Sequence, residues 1–280
     1  TIQSRGLGDV YKRQSQKWWK TLKSSLFGAD VSLPPIFKPD GSVTHDPAEK
    51  ASLFAAYFNE KQSDFVFNAP DSCDPQPVLT SLAFRSRELL GYMKELDNSV
   101  ALDPNGLFPL LFSKCAEVLA PKISAIFRIL IRNGSFPVCW RLANVTPIPK
   151  ASSSSFISDY RPISLTPILS KLFERLLAKR LSHLLESSKF LPAGQFGFRK
   201  NLGTNHALLF LTQKIQSALD LYIESRVVSL DFSAAFDRVS HSALIYKLRT
   251  AGVAGSFLNI LTQFLTNRMQ RVSVEGNFSD

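Results

Sequence analysis

The chain is short of cysteine, lacks any long apolar run and carries no glycine-rich phosphate loop, and each lack closes off a class of explanation. Its three cysteines, Cys73, Cys115 and Cys139, lie far apart in 280 residues. They form neither an even disulfide set nor a zinc spacing, so they are expected to act as small buried hydrophobes in a reducing compartment. The longest apolar stretch, Ile123 to Ile131, is interrupted by Arg128 and is too short to cross a bilayer. No secretory-signal pattern opens the sequence. The missing phosphate loop disfavours a Rossmann or P-loop enzyme.

What remains is an ordinary globular composition, with 45% hydrophobic and 20% charged residues. That is enough chain for one large domain or two of common size. Thirty-three Lys and Arg stand against 23 Asp and Glu, a net charge of +10. Such a balance suits a polyanion, and nucleic acid more than an acidic membrane surface.

Thr1 to Gln14 read as translated sequencing-adaptor sequence and are set apart from fold reasoning. A basic-aromatic helix is expected over 16–26, where Lys17, Trp18, Trp19 and Lys20 alternate cations with rings. Pro34-Pro35 and Lys38-Pro39-Asp40-Gly41 read as turns. Asp46 as N-cap and Pro47 at the first helical position open a helix with Ala51, Leu53, Phe54, Tyr57 and Phe58 at helical spacing. Pro70 to Pro77 reads as a linker, which places a boundary near residue 78.

Helices are then expected over 82–97, 107–119 and 121–133, the last ended by Phe136-Pro137. Ala143 to Pro149 reads as a strand that its two prolines confine to an edge or hairpin. Ala151 to Ser155 is a loop tip, and Arg161 to Leu165 returns the chain. The clearest helix covers 168–187, with an apolar stripe of Ile168, Leu172, Leu176, Leu181, Leu184 and Leu185. Others are expected over 204–221 from a Thr204 N-cap, over 241–251 from a Ser240 cap, and over 255–266. Residues 226–231 and 271–275 read as strands. Helices mixed with a few strands give an α+β fold rather than a doubly wound sheet.

The richest stretch is Val227 to Asp237. A run of β-formers ends in Asp231, which a strand would carry out at its tip, and Phe236 follows five residues later. An aspartate so placed suits a hard divalent cation, which prefers oxygen ligands and shares its shell with substrate phosphates. Lys150 and Arg161 bracket the proposed hairpin, where such cations can neutralise a triphosphate.

Together these stretches resemble the reverse transcriptases of non-LTR retrotransposons of the jockey and LINE type. The resemblance rests on Val145-Thr146-Pro147-Ile148-Pro149-Lys150, Asp159 to Leu165, Gln195-Phe196-Gly197-Phe198-Arg199 and the Asp231 stretch, four motifs in family order. It covers about residues 15 to 280. It implies an RNA-directed DNA polymerase, a nucleotidyltransferase joining dNTPs to a DNA or RNA primer on an RNA template. By the same resemblance Asp231 and the Phe232 carbonyl bind Mg²⁺ or Mn²⁺, and Lys150 and Arg161 hold the dNTP. Phe236 excludes the ribose 2′-hydroxyl. Gln195, Gly197 and Arg199 face the template, with Gly197 allowing close backbone approach or a positive φ. Asp237 is expected to make structural hydrogen bonds only.

The family's Gly-Pro-Asp-Gly-type loop has its order changed here, to Leu102-Asp103-Pro104-Asn105-Gly106. The Asp-Asp pair that completes the family's metal site is absent, since no such dipeptide occurs in the sequence. The expected organisation is therefore a helical linker over 15–80 and a partial polymerase domain over 81–280. That domain would be the fingers and the N-terminal half of a right-hand palm, with palm incomplete and thumb absent. The 280-residue chain alone is then expected to be inactive, with the helices over 241–251 and 255–266 unpartnered. A nuclear ribonucleoprotein is the expected setting, with no membrane. The rival reading is a catalytically dead relic that at most binds RNA through its basic face.

Overall fold

The computed structural model describes residues 33–61, 67–68, 78–97, 103–150 and 154–279. The helix expected over 16–26, the linker over 70–77, Cys73 and the tip residues 151–153 lie outside them. In chain order the elements begin with β1 (Ile36–Phe37), β2 (Val43–Thr44), α1 (Pro47–Glu60), α2 (Ser86–Lys94), α3 (Pro109–Lys114) and α4 (Ala116–Asn133). Then come β3 (Leu142–Pro149), β4 (Tyr160–Leu165), α5 (Ile168–Ser187) and α6 (Thr204–Asp220). The last are α7 (His241–Thr250), α8 (Gly255–Leu265), β5 (Met269–Val274) and β6 (Asn277–Phe278). The fold is α+β. Among the described residues no helix is long and apolar enough to cross a membrane.

The chain divides into two units. One comprises residues up to Phe58 with Val145–Ile163 and Arg271–Asp280; the other comprises Asn59–Asn144 and Ser164–Gln270. In the first, β1 and β2 pair antiparallel with Ile36 opposite Thr44. Gly41 sits at φ +83° in the turn between them, a conformation glycine adopts without steric cost. The Asp46 carboxylate accepts the Glu49 backbone N–H at 3.0 Å, the capping bond expected at the start of α1. Phe54 of α1 packs edge-on to Tyr160 at 4.9 Å between ring centres, in a core that includes Ile36, Val145, Val272 and Val274.

The second unit is helical and holds the larger core. Its centre is an aromatic cluster. Phe173 of α5 lies 4.9 Å from Phe127 of α4 and 5.8 Å from Trp140, in edge-to-face and tilted arrangements. Such pairs add modestly to the burial of their area. α5 keeps its expected bounds, and Ile168, Leu172, Leu176 and Leu184 of the expected stripe are buried. The Asp103 carboxylate reaches the start of this helix and accepts the Ile168 N–H at 3.0 Å. Its other oxygen accepts from Asn105 and Leu107. The altered Asp103 loop is thus a structural clasp on α5.

Several expectations are corrected. α3 and α4 divide at Cys115 rather than near 120, and Pro121 lies inside α4. α4 ends at Gly134, in the left-handed region, ahead of Phe136-Pro137. Of the two places expected for β3, the hairpin is the one found, with β4, and the edge is not: the sheet order is β4-β3-β5-β6. Its prolines fall in its second half, and Met269 leading β5 donates to Arg141 just before its first half. α6 is capped by Gly203, not Thr204. α7 starts as expected, with the Ser240 hydroxyl accepting from Ala243.

The two described cysteines are exposed rather than buried. Cys115 sits at the α3–α4 junction, and at Cys139 the adjacent Trp140 takes the buried position. The faces of α7 and α8, expected to lack partners, are packed: Leu248, Phe257, Leu258, Ile260 and Leu261 are all buried. Among the described helices the uncovered one is α6, which has no buried residue.

Candidate functional site

Lys150 and Arg161 lie on the β3–β4 hairpin of the first unit. The hairpin is closed where the Lys150 N–H donates to the Asp159 carbonyl at 2.8 Å. The Lys150 ammonium turns back to the Ser158 carbonyl at 2.6 Å, which fixes the side chain beside the tip. Asp159 is in turn held by the Ser154 hydroxyl at 2.6 Å. Arg161, one residue into β4, is exposed. Two cations therefore flank one hairpin end, with their backbone geometry set by main-chain bonds.

Asp231, Phe232 and Phe236 belong to the second unit. The expected strand over 226–231 is not formed: residues 223–232 belong to no strand, helix or turn. A strand needs a ladder partner to satisfy its backbone groups, and none pairs with this run among the described residues. Val228 is 78% exposed and Leu230 87%. The Asp231 carboxylate is exposed and accepts the N–H of Phe232 at 2.9 Å. After it the chain turns through 233–238, with Ala234 at φ 53°, and enters α7.

Phe236 is no core residue, being 80% exposed. Its ring meets the edge of Phe198 at 6.3 Å and 90°. The loop 195–199 is thereby brought against the aromatic that follows Asp231. Sequence reasoning passed over Phe198; its place within the Gln195-to-Arg199 motif was the only available signal.

The loop is tied down by Arg199. Its guanidinium forms a two-point pair with Glu186 at the end of α5, at 2.9 and 2.7 Å. It also donates to the Pro192 and Gln195 carbonyls. Hydrogen bonding to Arg199 holds the Glu186 carboxyl below its ordinary range, and the same pair raises Arg199. Arg199 thus shapes the loop from within. Of the two expectations at Gly197, close backbone approach or a positive φ, the positive φ falls instead on Phe198, at 60°. Gly197 is open, with no atom within 4 Å of where a Cβ would stand. Gln195 is exposed.

A two-metal site needs several carboxylates in one place. Among the described residues no group of three His, Cys, Asp or Glu side chains could hold a metal ion. Asp231 alone falls short of such a site, and no chemical step is assigned to a metal held by these residues.

Residues 148–279 match the reverse transcriptase (RNA-dependent DNA polymerase) family. Across 93% of its length the chain is 29% identical to a probable RNA-directed DNA polymerase from transposon BS of Drosophila melanogaster, covering 30% of that protein. It is also 29% identical, over 86% of its length, to the RNA-directed DNA polymerase from mobile element jockey of the same fly, covering 27% of it. A retrovirus-related Pol polyprotein from a type-1 retrotransposable element of Popillia japonica is 33% identical over half of the chain, covering 19% of that protein. The chain thus spans less than a third of the length of these curated relatives. Lys150, Arg161, the loop 195–199, Asp231 and Phe236 all fall inside the matched stretch. Over those residues the chain is similar to reverse transcriptases, of the kind carried by jockey and other non-LTR retrotransposons.

Proposed function

We propose that the protein carrying this segment is the RNA-directed DNA polymerase of a mobile element, extending a primer 3′-hydroxyl with dNTPs along an RNA template. The observation that carries this reading is the family match over 148–279, a stretch that contains Lys150, Arg161, Asp231 and Phe236. The relatives' names agree with it. Residues 81–280 would supply fingers and the first part of a palm, preceded by a linker segment over 15–80.

In this reading Lys150 and Arg161 neutralise the triphosphate, Lys150 as a point charge and Arg161 through its planar fork. Phe236 lies beneath the sugar and rejects a 2′-hydroxyl. Gln195 and the open backbone at Gly197 face the template, while Arg199 positions them through Glu186. The family uses divalent metal ions. Asp231 and the Phe232 carbonyl would be two ligands of Mg²⁺ or Mn²⁺, which further carboxylates must complete. Positioning and electrostatics then account for most of the catalysis.

The test is RNA-templated primer extension by the protein that contains this segment. Asp231→Asn should abolish extension, and Arg161→Gln should reduce it about a hundredfold. Phe236→Ala should raise ribonucleotide incorporation relative to deoxynucleotide. Extension that survives Asp231→Asn would sink the assignment.

A further inference from the structure

The second unit contains a groove of about 610 Å³ between α2 and α5, lined by none of the residues just described. Its lining includes four cations, Arg85, Arg87, Lys179 and Arg180, against two carboxylates, Glu88 and Glu95. Glu88 accepts from both Lys179, at 2.8 Å, and Arg180, at 2.9 Å, so one carboxylate serves two positive charges. Burial pushes the Glu88 carboxyl up, but the bonds from Lys179 and Arg180 outweigh it and the net shift is downward. Glu88 is therefore ionised at neutral pH, and an excess of positive charge remains after it is counted.

Arg175, Lys179 and Arg180 are also held in place. Arg180 grips the Ala83 carbonyl through two nitrogens, at 3.2 and 3.0 Å. Arg175 pairs with Glu95, and its guanidinium lies 4.1 Å from the centre of the Tyr92 ring. Lys171, Arg175 and Lys179 recur every fourth residue, so they form one row along α5 with a step of about 6 Å. All three are exposed, as are Arg85 and Arg87 at the start of α2. Glu174, the acid nearest this row in sequence, is engaged by the Ser170 hydroxyl.

A concave surface with surplus, pre-oriented Arg and Lys beside an aromatic ring has the chemistry that tracks a nucleic-acid backbone. Fixing the cations in advance lowers the ordering cost of binding. We propose that the α2–α5 groove binds the phosphodiester backbone of single-stranded RNA, as a docking site separate from the nucleotide site. The choice of RNA as the polyanion rests on the polymerase reading above.

The test is fluorescence-anisotropy titration of the whole chain with a labelled single-stranded RNA, across a salt series and without dNTPs. The variant Arg85→Gln/Arg87→Gln/Lys171→Gln alters exposed side chains only. It should weaken binding at low salt by at least about tenfold and reduce the slope of log affinity against log salt by about 2. A control triple, Lys114→Gln/Lys122→Gln/Arg132→Gln, removes the same charge from exposed positions on α3 and α4 and should leave that slope nearly unchanged.

Equal losses in both variants would overturn the proposal, because net charge alone would then account for binding. Variant-sensitive binding of a polyglutamate peptide as tight as that of RNA would also overturn it, and would point to an acidic protein partner. Because no polymerisation is read, failure here leaves the primer-extension result standing. Conversely, loss of the polymerase reading leaves measured groove binding intact.

Discussion

α5 and α6 look alike as sequence and differ completely in surroundings. Both are long, both carry apolar residues at three- and four-residue intervals, and both form over nearly their expected bounds. Seven residues of α5 are buried, including Phe173 and Leu172 at the centre of the aromatic cluster. None of α6 is buried, and Leu209 on it is 69% exposed. Periodicity therefore reports that a helix has an apolar side. It does not report what covers that side, which is set by elements distant in sequence.

The sharpest way to break this contrast is to truncate one side chain on each helix. Phe173→Ala removes a fully buried ring touching Phe127, Trp140 and Phe136 and should destabilise the chain by about 3–5 kcal/mol. Leu209→Ala should change stability by no more than about 0.5 kcal/mol. Urea unfolding of both variants measures the difference. A Leu209→Ala cost approaching that of Phe173→Ala would mean that α6 is covered in solution.

What the sequence revealed follows the same line. Local chemistry was legible: the Asp46 and Ser240 caps, the bounds of α5 and the alternation of β5 all depend on neighbours within a few residues. Features that depend on distant partners were not. Residues 226–231 have the composition of a strand, yet a strand exists only where another pairs with it. α7 and α8 were expected to lack cover because nothing in their own residues reveals that they pack into the main core. For the candidate site, Lys150, Arg161, Asp231 and Phe236 were proposed through the motifs that carry the family resemblance. The contact of Phe198 with Phe236 and the capture of Arg199 by Glu186 could not, since each joins residues whose side-chain directions are fixed only by the fold.

Asp103 offers the next largest effect, because it fastens α5 at its first residue. Its carboxylate satisfies three backbone N–H groups, those of Asn105, Leu107 and Ile168. Asp103→Ala leaves these donors unpaired and should cost about 1–3 kcal/mol by urea unfolding. Asp103→Asn, which keeps an acceptor oxygen, should recover part of that. Ser240→Ala, which removes the cap of α7, should cost about 1 kcal/mol. The corresponding exchange at the start of α6, Gly203→Ser, should change stability by only a few tenths. Gly203 has an extended φ of 179°, which serine adopts without strain.

The smallest effect concerns the one ion pair that ties the end of α5 to the loop preceding α6. Glu186 has its carboxyl held below the ordinary glutamate value of 4.5 by the hydrogen bond from Arg199. A group whose folded value is depressed contributes stability above its unfolded value, and that contribution disappears as pH falls through the folded value. The pair should therefore support the fold at neutral pH and stop doing so only in acid. Glu186→Gln should lower stability slightly at pH 7 and flatten the acid limb of the stability curve below about pH 4.5. Its effect at neutral pH should shrink as salt rises, because the pair is partly solvated. Unfolding midpoints taken across pH for the parent chain and the variant decide the matter. Parallel curves would show that Arg199 holds the loop through its carbonyl contacts with Pro192 and Gln195, and that the carboxylate of Glu186 is incidental to the link between the two helices.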